Sequence, residues 1–301
     1  MMNSGQVKKP LIRQGWLRVL LFFIVYFLLV STGVSLLPRL SRWLTGEQHS
    51  LDEIANGKSF WMIVFAMLLV SVLLVCIFRL FIDRKSLGSL GFSNGHYTDG
   101  LAGLFLSLSI LGTGTLILYF TGHLKWVDII FNGNELFIEL GWMLLIALYE
   151  ELVFRGYILG NLMESFNKWV ALLVSALLFT LFHINNPSLD FVPLANIFLA
   201  GLLLGVNYIY TKNIWFPLMF HFGWNFFQGP VLGYKVSGFN FSSVLQTELN
   251  GDPLLTGGDF GFEGSVINLA LSLITFLILY AVYEKKFRPL QPESSAGKNA
   301  R

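Results

Sequence analysis

Apolar stretches long enough to cross a lipid bilayer recur along this chain. A spanning helix needs about 20 mostly apolar residues, because lipid offers no hydrogen-bond partner to an unpaired backbone group. Five segments meet this requirement, namely residues 16–37, 60–82, 101–120, 136–162 and 266–283. Only 13% of the 301 residues are charged, about half the share in an ordinary soluble domain. The chain is therefore expected to be an integral membrane protein.

Between residues 169 and 228 the apolar sequence is nearly continuous and has to be divided. Polar and turn-forming residues interrupt it at 185–188 and at 211–213. These breaks predict three further spans, over residues 169–183, 191–210 and 214–228. The predicted fold class is all-α, a polytopic transmembrane helical bundle of about eight helices that forms a single integral membrane domain over residues 1–301.

The distribution of lysine and arginine predicts the orientation of the bundle. Basic residues near span ends are retained on the cytoplasmic side, and most of the 20 lysines and arginines fall there if both termini are cytoplasmic. The first span follows a basic N-terminus and is interpreted as a retained signal anchor. Residues 285–301 form a polar C-terminal tail. The expected location is the inner or plasma membrane of a cell, as a multi-pass protein.

The longest connection between spans covers residues 229–264. It is acidic and rich in Gly, Phe and Asn. It could fold over the outer mouth of the bundle, but its composition favours an ordinary surface loop.

Polar side chains within the predicted spans point to a site. A charged side chain at the centre of a membrane helix costs about 2.5–3.5 kcal/mol on translocon scales, so such residues are rare unless something requires them. Six polar residues fall within three of the spans: Glu150, Glu151 and Arg155 in the fourth, His183 at the end of the fifth, and His221 and Asn225 in the seventh.

Helical spacing separates the two glutamates. Glu151 and Arg155 are four residues apart, with the acid on the N-terminal side, which is the favourable order for an ion pair. Glu150 points about 100° away, because 3.6 residues make a turn. Glu150 is therefore the carboxylate available for chemistry, and Glu151 is assigned to the pair with Arg155.

The histidines supply the remaining groups of a hydrolytic site. Glu150 and His183 could hold and deprotonate a water molecule. His221 and Asn225 share a helix face and could donate hydrogen bonds to an oxyanion. Alternatively, Glu150, His183 and His221 could ligate zinc, although the His-Glu-x-x-His helix of many zinc proteases is missing.

Three motifs in this order, Glu150-Glu151-x-x-x-Arg155, Phe179-x-x-x-His183 and His221-x-x-x-Asn225, resemble the CAAX prenyl protease type II and bacteriocin-processing (CPBP, or Abi) family of intramembrane proteases. The resemblance covers about residues 136–228, the expected catalytic core. It implies a glutamate-dependent endopeptidase without a metal cofactor. Its catalytic residues would be Glu150, His183, His221 and Asn225, with Glu151 and Arg155 supporting them.

The resemblance leaves the substrate open. The expected partners are the lipid bilayer and a peptide or lipidated protein that is cleaved, with no nucleic acid. Two other functions stay possible on the sequence. One is a non-catalytic membrane immunity or scaffold protein that keeps the polar cluster for packing. The other is a transporter or proton-coupled carrier, because Glu and His also form proton relays in membranes.

Overall fold

A computed structural model describes residues 9–47, 49–55, 59–92 and 97–288. Most of these residues are helical. The helices, in chain order, are α1 (Gly15–Thr45), α2 (Leu51–Ala55), α3 (Phe60–Ile77), α4 (Tyr97–Phe120), α5 (Gly133–Glu151), α6 (Gly160–Leu162), α7 (Lys168–Phe182), α8 (Phe191–Thr211), α9 (Trp215–Phe226), α10 (Pro253–Thr256) and α11 (Val266–Lys286). Segments with π-helical hydrogen bonding extend α3 over Phe78–Ile82, join α5 to α6 over Leu152–Leu159, and extend α9 over Phe227–Val231. Short 3-10 turns lie at Leu87–Leu90, Gly258–Phe260 and Phe262–Gly264.

Each of the eight segments predicted to span the membrane is helical. Among the described residues, five helices are both long and apolar enough to cross a bilayer: Gly15–Leu44, Phe60–Ile82, Tyr97–Phe120, Phe191–Thr211 and Val266–Lys286. The chain therefore crosses a membrane several times. A total of eight crossings and the cytoplasmic position of the termini stay predictions.

The described chain is mostly helical, as predicted, and has one short pair of strands in addition. Strands β1 (Leu124–Ile129) and β2 (Leu245–Leu249) form an antiparallel pair with Leu124 opposite Leu249, and the pairing shifts by one residue between Trp126 and Asp128. Both strands lie in connections between helices, where the pairing satisfies backbone groups that no helix satisfies. Strands this short contain no long apolar run that would reveal them in the sequence. The pair ties the connection before α5 to the one after α9.

The first helix does not end at Leu37 as expected, but continues through Pro38 to Thr45. A proline inside a helix removes one backbone hydrogen bond and often ends the helix, yet membrane helices tolerate it when neighbours satisfy the freed group. Gly46 ends α1 with a positive φ of 78°, and its N–H donates to the carbonyl of Arg42 at 3.0 Å. The last helix also extends past its predicted end, to Lys286 in the predicted polar tail. Residues 289–301 of that tail lie outside the described residues.

Two features of the packing position the site. Every residue from Leu152 to Leu159 is buried, so this segment forms the centre of the largest apolar core. Helix α9 packs closely against α4 through two glycines: a Cβ atom built on Gly103 would lie 2.3 Å from the Phe216 carbonyl oxygen, and one on Gly223 would lie 2.6 Å from the Leu104 side chain. Small residues permit such close approach between membrane helices. The helix that carries His221 is therefore held firmly.

Candidate active site

The carboxylate of Glu150 lies at the centre of the candidate site, one residue before the end of α5. Its Oε2 atom is 3.6 Å from Nε2 of His183 and 3.9 Å from Nε2 of His221. Both separations exceed a direct hydrogen bond, which spans about 2.7–3.2 Å. The same Oε2 atom is buried and has no hydrogen-bond partner among the residues that the structure describes. Glu150 thus faces two imidazoles across a narrow gap.

The other ring nitrogen of each histidine is held by a fixed partner. Nδ1 of His183, directly after α7, lies 2.8 Å from the backbone oxygen of Phe179. Nδ1 of His221, on α9, lies 2.8 Å from Oε1 of Glu151. A carbonyl oxygen only accepts, and an ionised carboxylate does likewise, so both Nδ1 atoms carry the proton. The Nε2 atoms of both rings face the Glu150 carboxylate.

Glu151 and Arg155 form the predicted ion pair, with Nη1 of Arg155 2.9 Å from Oε1 of Glu151 and both side chains buried. Assigning Glu151 to Arg155 alone is incomplete, because the same oxygen also accepts from His221. Spacing within one helix could not show this contact, which joins residues 70 positions apart. The guanidinium of Arg155 also lies 4.5 Å from the centre of the Phe179 ring. Glu151 and Arg155 therefore form a charged layer directly behind the histidines.

The structure brings all four predicted catalytic residues to one cavity. Glu150, His183, His221 and Asn225 line a cavity with a volume of about 470 Å³. Asn225 lies one helical turn after His221 and is 6% exposed. Within the described chain, the carboxylate, the two imidazoles and the amide therefore line one cavity.

These site residues fall in a segment that matches the model of a known protein family. Residues 132–227 match the family model described as Rce1-like, type II CAAX prenyl endopeptidase Rce1-like. The chain contains an Rce1-like domain. The family resemblance expected from the three motifs is thereby confirmed. Together with the apolar helices, this domain marks a multi-pass membrane protein. A comparison with curated proteins finds no match.

The Rce1-like domain supplies Glu150, His183 and His221 as conceivable zinc ligands. Both Nδ1 atoms are held by oxygen atoms, as is usual for zinc-binding histidines. Two ligands of a tetrahedral zinc ion lie roughly 3.4 Å apart when its bonds are about 2.05 Å long, whereas the two distances from Glu150 are 3.6 and 3.9 Å. In the described parts of the chain, no three His, Cys, Asp or Glu side chains are grouped to hold a metal ion. The absence of a metal cofactor therefore stays a prediction for this site.

Much of the cavity wall comes from outside the Rce1-like domain. One wall is apolar and belongs to α1 and α3; it consists of Phe27, Val30, Val34, Phe60, Ile63, Val64 and Met67. Another wall is polar and combines Asn196, on α8 within the domain, with Asn268 and Ser272, on α11 outside it. These three are hydrogen-bonded to one another, at 3.1 Å between the two asparagines and 3.0 Å from Ser272 to Asn268. The cavity thus offers an apolar side and a polar side to an occupant.

Residues 229–264, here named the cap segment, also line the cavity. Its contribution consists of Val236, Ser237, Phe239, Phe241 and Glu263. Gly238 has a φ of 87°, and a Cβ atom built on it would lie 2.4 Å from the carbonyl oxygen of Pro187. Glycine therefore allows the cap segment to lie against the loop that follows His183. The expectation of an ordinary surface loop is wrong, because these contacts join segments about 50 residues apart and leave no local pattern.

Two residues of the site were not assigned from the sequence. Tyr149 is buried, lines the cavity and directly precedes Glu150 on α5. Its position directly before the two glutamates was an available signal. Glu263 belongs to the cap segment, outside the match to the Rce1-like family. Nothing in the acidic, Gly-rich sequence around Glu263 distinguishes it from the other acids of that loop.

Proposed function

We propose that this protein is an intramembrane endopeptidase in which Glu150 and His183 activate a water molecule. The observation that carries the proposal is the buried Oε2 atom of Glu150, which has no hydrogen-bond partner in the described chain and faces two imidazoles in a cavity. Leaving a buried acceptor unpaired costs about 1–3 kcal/mol, and more for a charged group. Such an atom is expected where a reactant binds, because packing alone would not favour it.

The arrangement supports direct attack by water on a peptide bond. A water molecule within hydrogen-bonding reach of Glu150 and His183 gives a proton to Glu150 as its oxygen bonds to the carbonyl carbon. The carbonyl oxygen becomes an oxyanion and accepts hydrogen bonds from His221 and Asn225. When the carbon–nitrogen bond breaks, the proton held by Glu150 passes to the leaving nitrogen. One water is consumed, and a carboxyl group and an amine are formed.

The oxyanion role places a requirement on His221. Its Nδ1 proton is donated to Glu151, so Nε2 can donate only when the ring is a doubly protonated cation. In that state the positive charges of Arg155 and His221 would cancel the negative charges of Glu150 and Glu151. Glu151 accepts from both His221 and Arg155. We therefore assign Glu151 and Arg155 supporting roles in holding the His221 ring in its orientation.

The proposed substrate is a membrane-associated or lipidated peptide or protein. The apolar wall from α1 and α3 suits a hydrophobic part of such a substrate, and the polar wall and the cap segment suit its peptide backbone. The family that the chain matches is described as a type II CAAX prenyl endopeptidase, so a prenylated C-terminal peptide is the first substrate to test. Bacteriocin-like peptides form a second class.

A fluorogenic cleavage assay in proteoliposomes tests this function. The probes are a farnesylated peptide that ends in a CAAX tetrapeptide and the same peptide without the farnesyl group. We expect wild-type protein to cleave the farnesylated peptide and Glu150→Gln to lose at least 1,000-fold in kcat. The matched control is Glu248→Gln, which removes an exposed carboxylate of β2. This control should keep full activity. Cleavage by Glu150→Gln at the wild-type rate would contradict the role of Glu150.

The same assay tests the metal-free mechanism against zinc. We expect activity to persist after exhaustive chelation, with no stoichiometric zinc in the purified protein. Zinc that is lost together with activity, and activity restored by zinc alone, would establish Glu150, His183 and His221 as ligands instead.

A further inference from the structure

Glu263 joins the cap segment to the helix that carries His221 and Asn225. Its Oε1 atom accepts hydrogen bonds from the backbone N–H of Ser237 and from the Ser237 hydroxyl, the latter at 2.8 Å. Its Oε2 atom accepts from the indole N–H of Trp224, at 3.3 Å. Trp224 precedes Asn225 on α9. One carboxylate therefore connects two separate walls of the cavity.

The Glu263 carboxylate is held by neutral donors. Among the described residues, no lysine or arginine forms an ion pair with it. Burial raises the pKa of its carboxyl, while the hydrogen bonds from Ser237 and Trp224 counteract the rise. Three donors converge on it, and a carboxylate offers acceptors to all of them, whereas a glutamine amide would direct its own N–H groups at one side.

The turn that Glu263 holds has an unusual backbone. Val236 and Phe239 are paired through two backbone hydrogen bonds of 3.0 and 2.9 Å. Between them, Ser237 has a φ of 51° and Gly238 a φ of 87°. Positive φ values at both central residues are typical of a type I′ turn, which favours Gly, Asn or Asp, so Ser237 adopts a conformation uncommon for its type. Such backbone persists only where the surroundings fix it, and it is frequent at ligand clamps.

The residues of this turn face the cavity. Val236, Ser237 and Phe239 all line it, together with Glu263 itself. The turn also lies against Pro187 through Gly238. A substrate in the cavity therefore contacts a wall whose shape depends on the hydrogen bonds to Glu263.

We propose that Glu263 is a positioning residue that fixes the Val236–Phe239 turn as a substrate-binding wall, and so sets the affinity for substrate while leaving the chemical step to Glu150 and His183. The inference rests on the proposed peptidase function for the identity of its ligand. It goes beyond that function because both Glu263 and the turn lie outside the Rce1-like domain.

Binding measured without cleavage tests this proposal. The probe is the fluorescent farnesylated CAAX peptide, titrated against Glu150→Gln protein in nanodiscs and followed by anisotropy. Adding Glu263→Ala should raise Kd at least 10-fold, and Glu263→Gln should raise it less, because the glutamine oxygen still accepts from Ser237. The matched control Asp259→Asn removes an exposed carboxylate of the same cap segment, paired with Lys235, and should leave Kd unchanged.

A merely structural role for Glu263 gives a different result. It would reduce the fraction of binding-competent protein, so the amplitude of the titration would fall while Kd stayed unchanged. That outcome would overturn the proposal. A Kd unaffected by Glu263→Ala, or no binding of the peptide at all, would overturn it as well. Ser237→Ala combined with Glu263→Ala should weaken binding by less than the product of the two single effects. If the peptide binds as predicted but wild-type protein does not cleave it, the proposed function fails and the role of Glu263 stands.

Discussion

Two buried carboxylates in this protein have opposite surroundings. Asp83, which follows the extension of α3, accepts four hydrogen bonds, from Arg18 and Arg79 at 2.9 Å each, from Asn161 at 3.1 Å and from Tyr157 at 3.3 Å. Oε2 of Glu150 has no such partner within the described chain. Both residues are buried, at 0% and 5% exposure.

This difference in hydrogen bonding indicates different roles for the two buried carboxylates. Buried polar groups are nearly always hydrogen-bonded, and an exception needs an explanation. Asp83 joins α1, the extension of α3 and the segment that leads into α6, so it stabilises the attachment of α1 to the Rce1-like domain. Glu150 is held in place by its helix while its reactive oxygen stays free. We infer that Asp83 is structural and that Glu150 is catalytic.

The largest expected effect on stability is at Asp83. Asp83→Asn leaves Arg18 and Arg79 facing an amide that can neutralise neither, and removing one partner of a buried ion pair costs about 3–5 kcal/mol. We expect a much lower melting temperature in detergent, with a wild-type kcat per folded molecule. Asp259→Asn, at an exposed ion pair, is the control and should not change the melting temperature. If Asp83→Asn melts at the wild-type temperature, the structural role of Asp83 is contradicted.

The amide of Asn225 should matter for rate and little for stability. Asn225→Ala removes one donor to the oxyanion, and the loss of such a donor costs about 100- to 1,000-fold in kcat. The assay is cleavage of the farnesylated peptide, with Asn250→Ala, an exposed amide of the cap segment, as the control. A change in KM alone would show that Asn225 binds substrate and does not stabilise the transition state.

Glu151 combines a feature of Asp83 with a feature of Glu150. Its Oε1 atom accepts from Arg155 and His221, while its Oε2 atom is buried without a partner in the described chain. Glu151→Gln keeps an acceptor but loses the negative charge that faces Arg155 and His221. A hydrogen bond to a charged group is worth about 1.5–3 kcal/mol, so we expect kcat to fall about 10- to 100-fold and the melting temperature to fall as well. An effect on only one of the two quantities would contradict the supporting role.

The smallest effect is expected at Glu164, at the edge of the Asp83 cluster. Glu164 pairs with Arg18 and with Lys85 and is one-third exposed. Burial alone would raise the pKa of Glu164, but the hydrogen bonds and charges of Lys85 and Arg18 lower it below its usual value. A lowered pKa in the folded state means that the stabilisation is present above the unfolded pKa, about 4.3, and is lost as the pH falls through the folded value.

Melting curves between pH 7 and pH 3 measure this contribution. We expect Glu164→Gln to be slightly less stable than wild type at pH 7, by less than about 1 kcal/mol as for other partly exposed pairs. The difference should shrink as the pH falls below about 4. A difference that is constant over the whole range would show that the charge of Glu164 contributes nothing.

Local patterns in the sequence predicted the helices and one contact of the site. The Glu151–Arg155 pair follows from a spacing of four residues, and the eight helical segments follow from apolar runs. The contact between His221 and Glu151, the position of the cap segment and the β1–β2 pair join distant parts of the chain, so no local spacing encodes them. The extension of α1 through Pro38 depends on the neighbouring segments. The tendency of proline to end a helix, considered for α1 alone, does not take these neighbours into account.

The most direct test of the account measures kcat and melting temperature for Glu150→Gln and Asp83→Asn in the same reconstituted preparation. The account predicts that Glu150→Gln loses at least 1,000-fold in kcat at an unchanged melting temperature, and that Asp83→Asn shows the reverse. If Glu150→Gln instead melts as early as Asp83→Asn and its folded molecules cleave the peptide at the wild-type rate, Glu150 is a packing residue and the proposed mechanism is wrong.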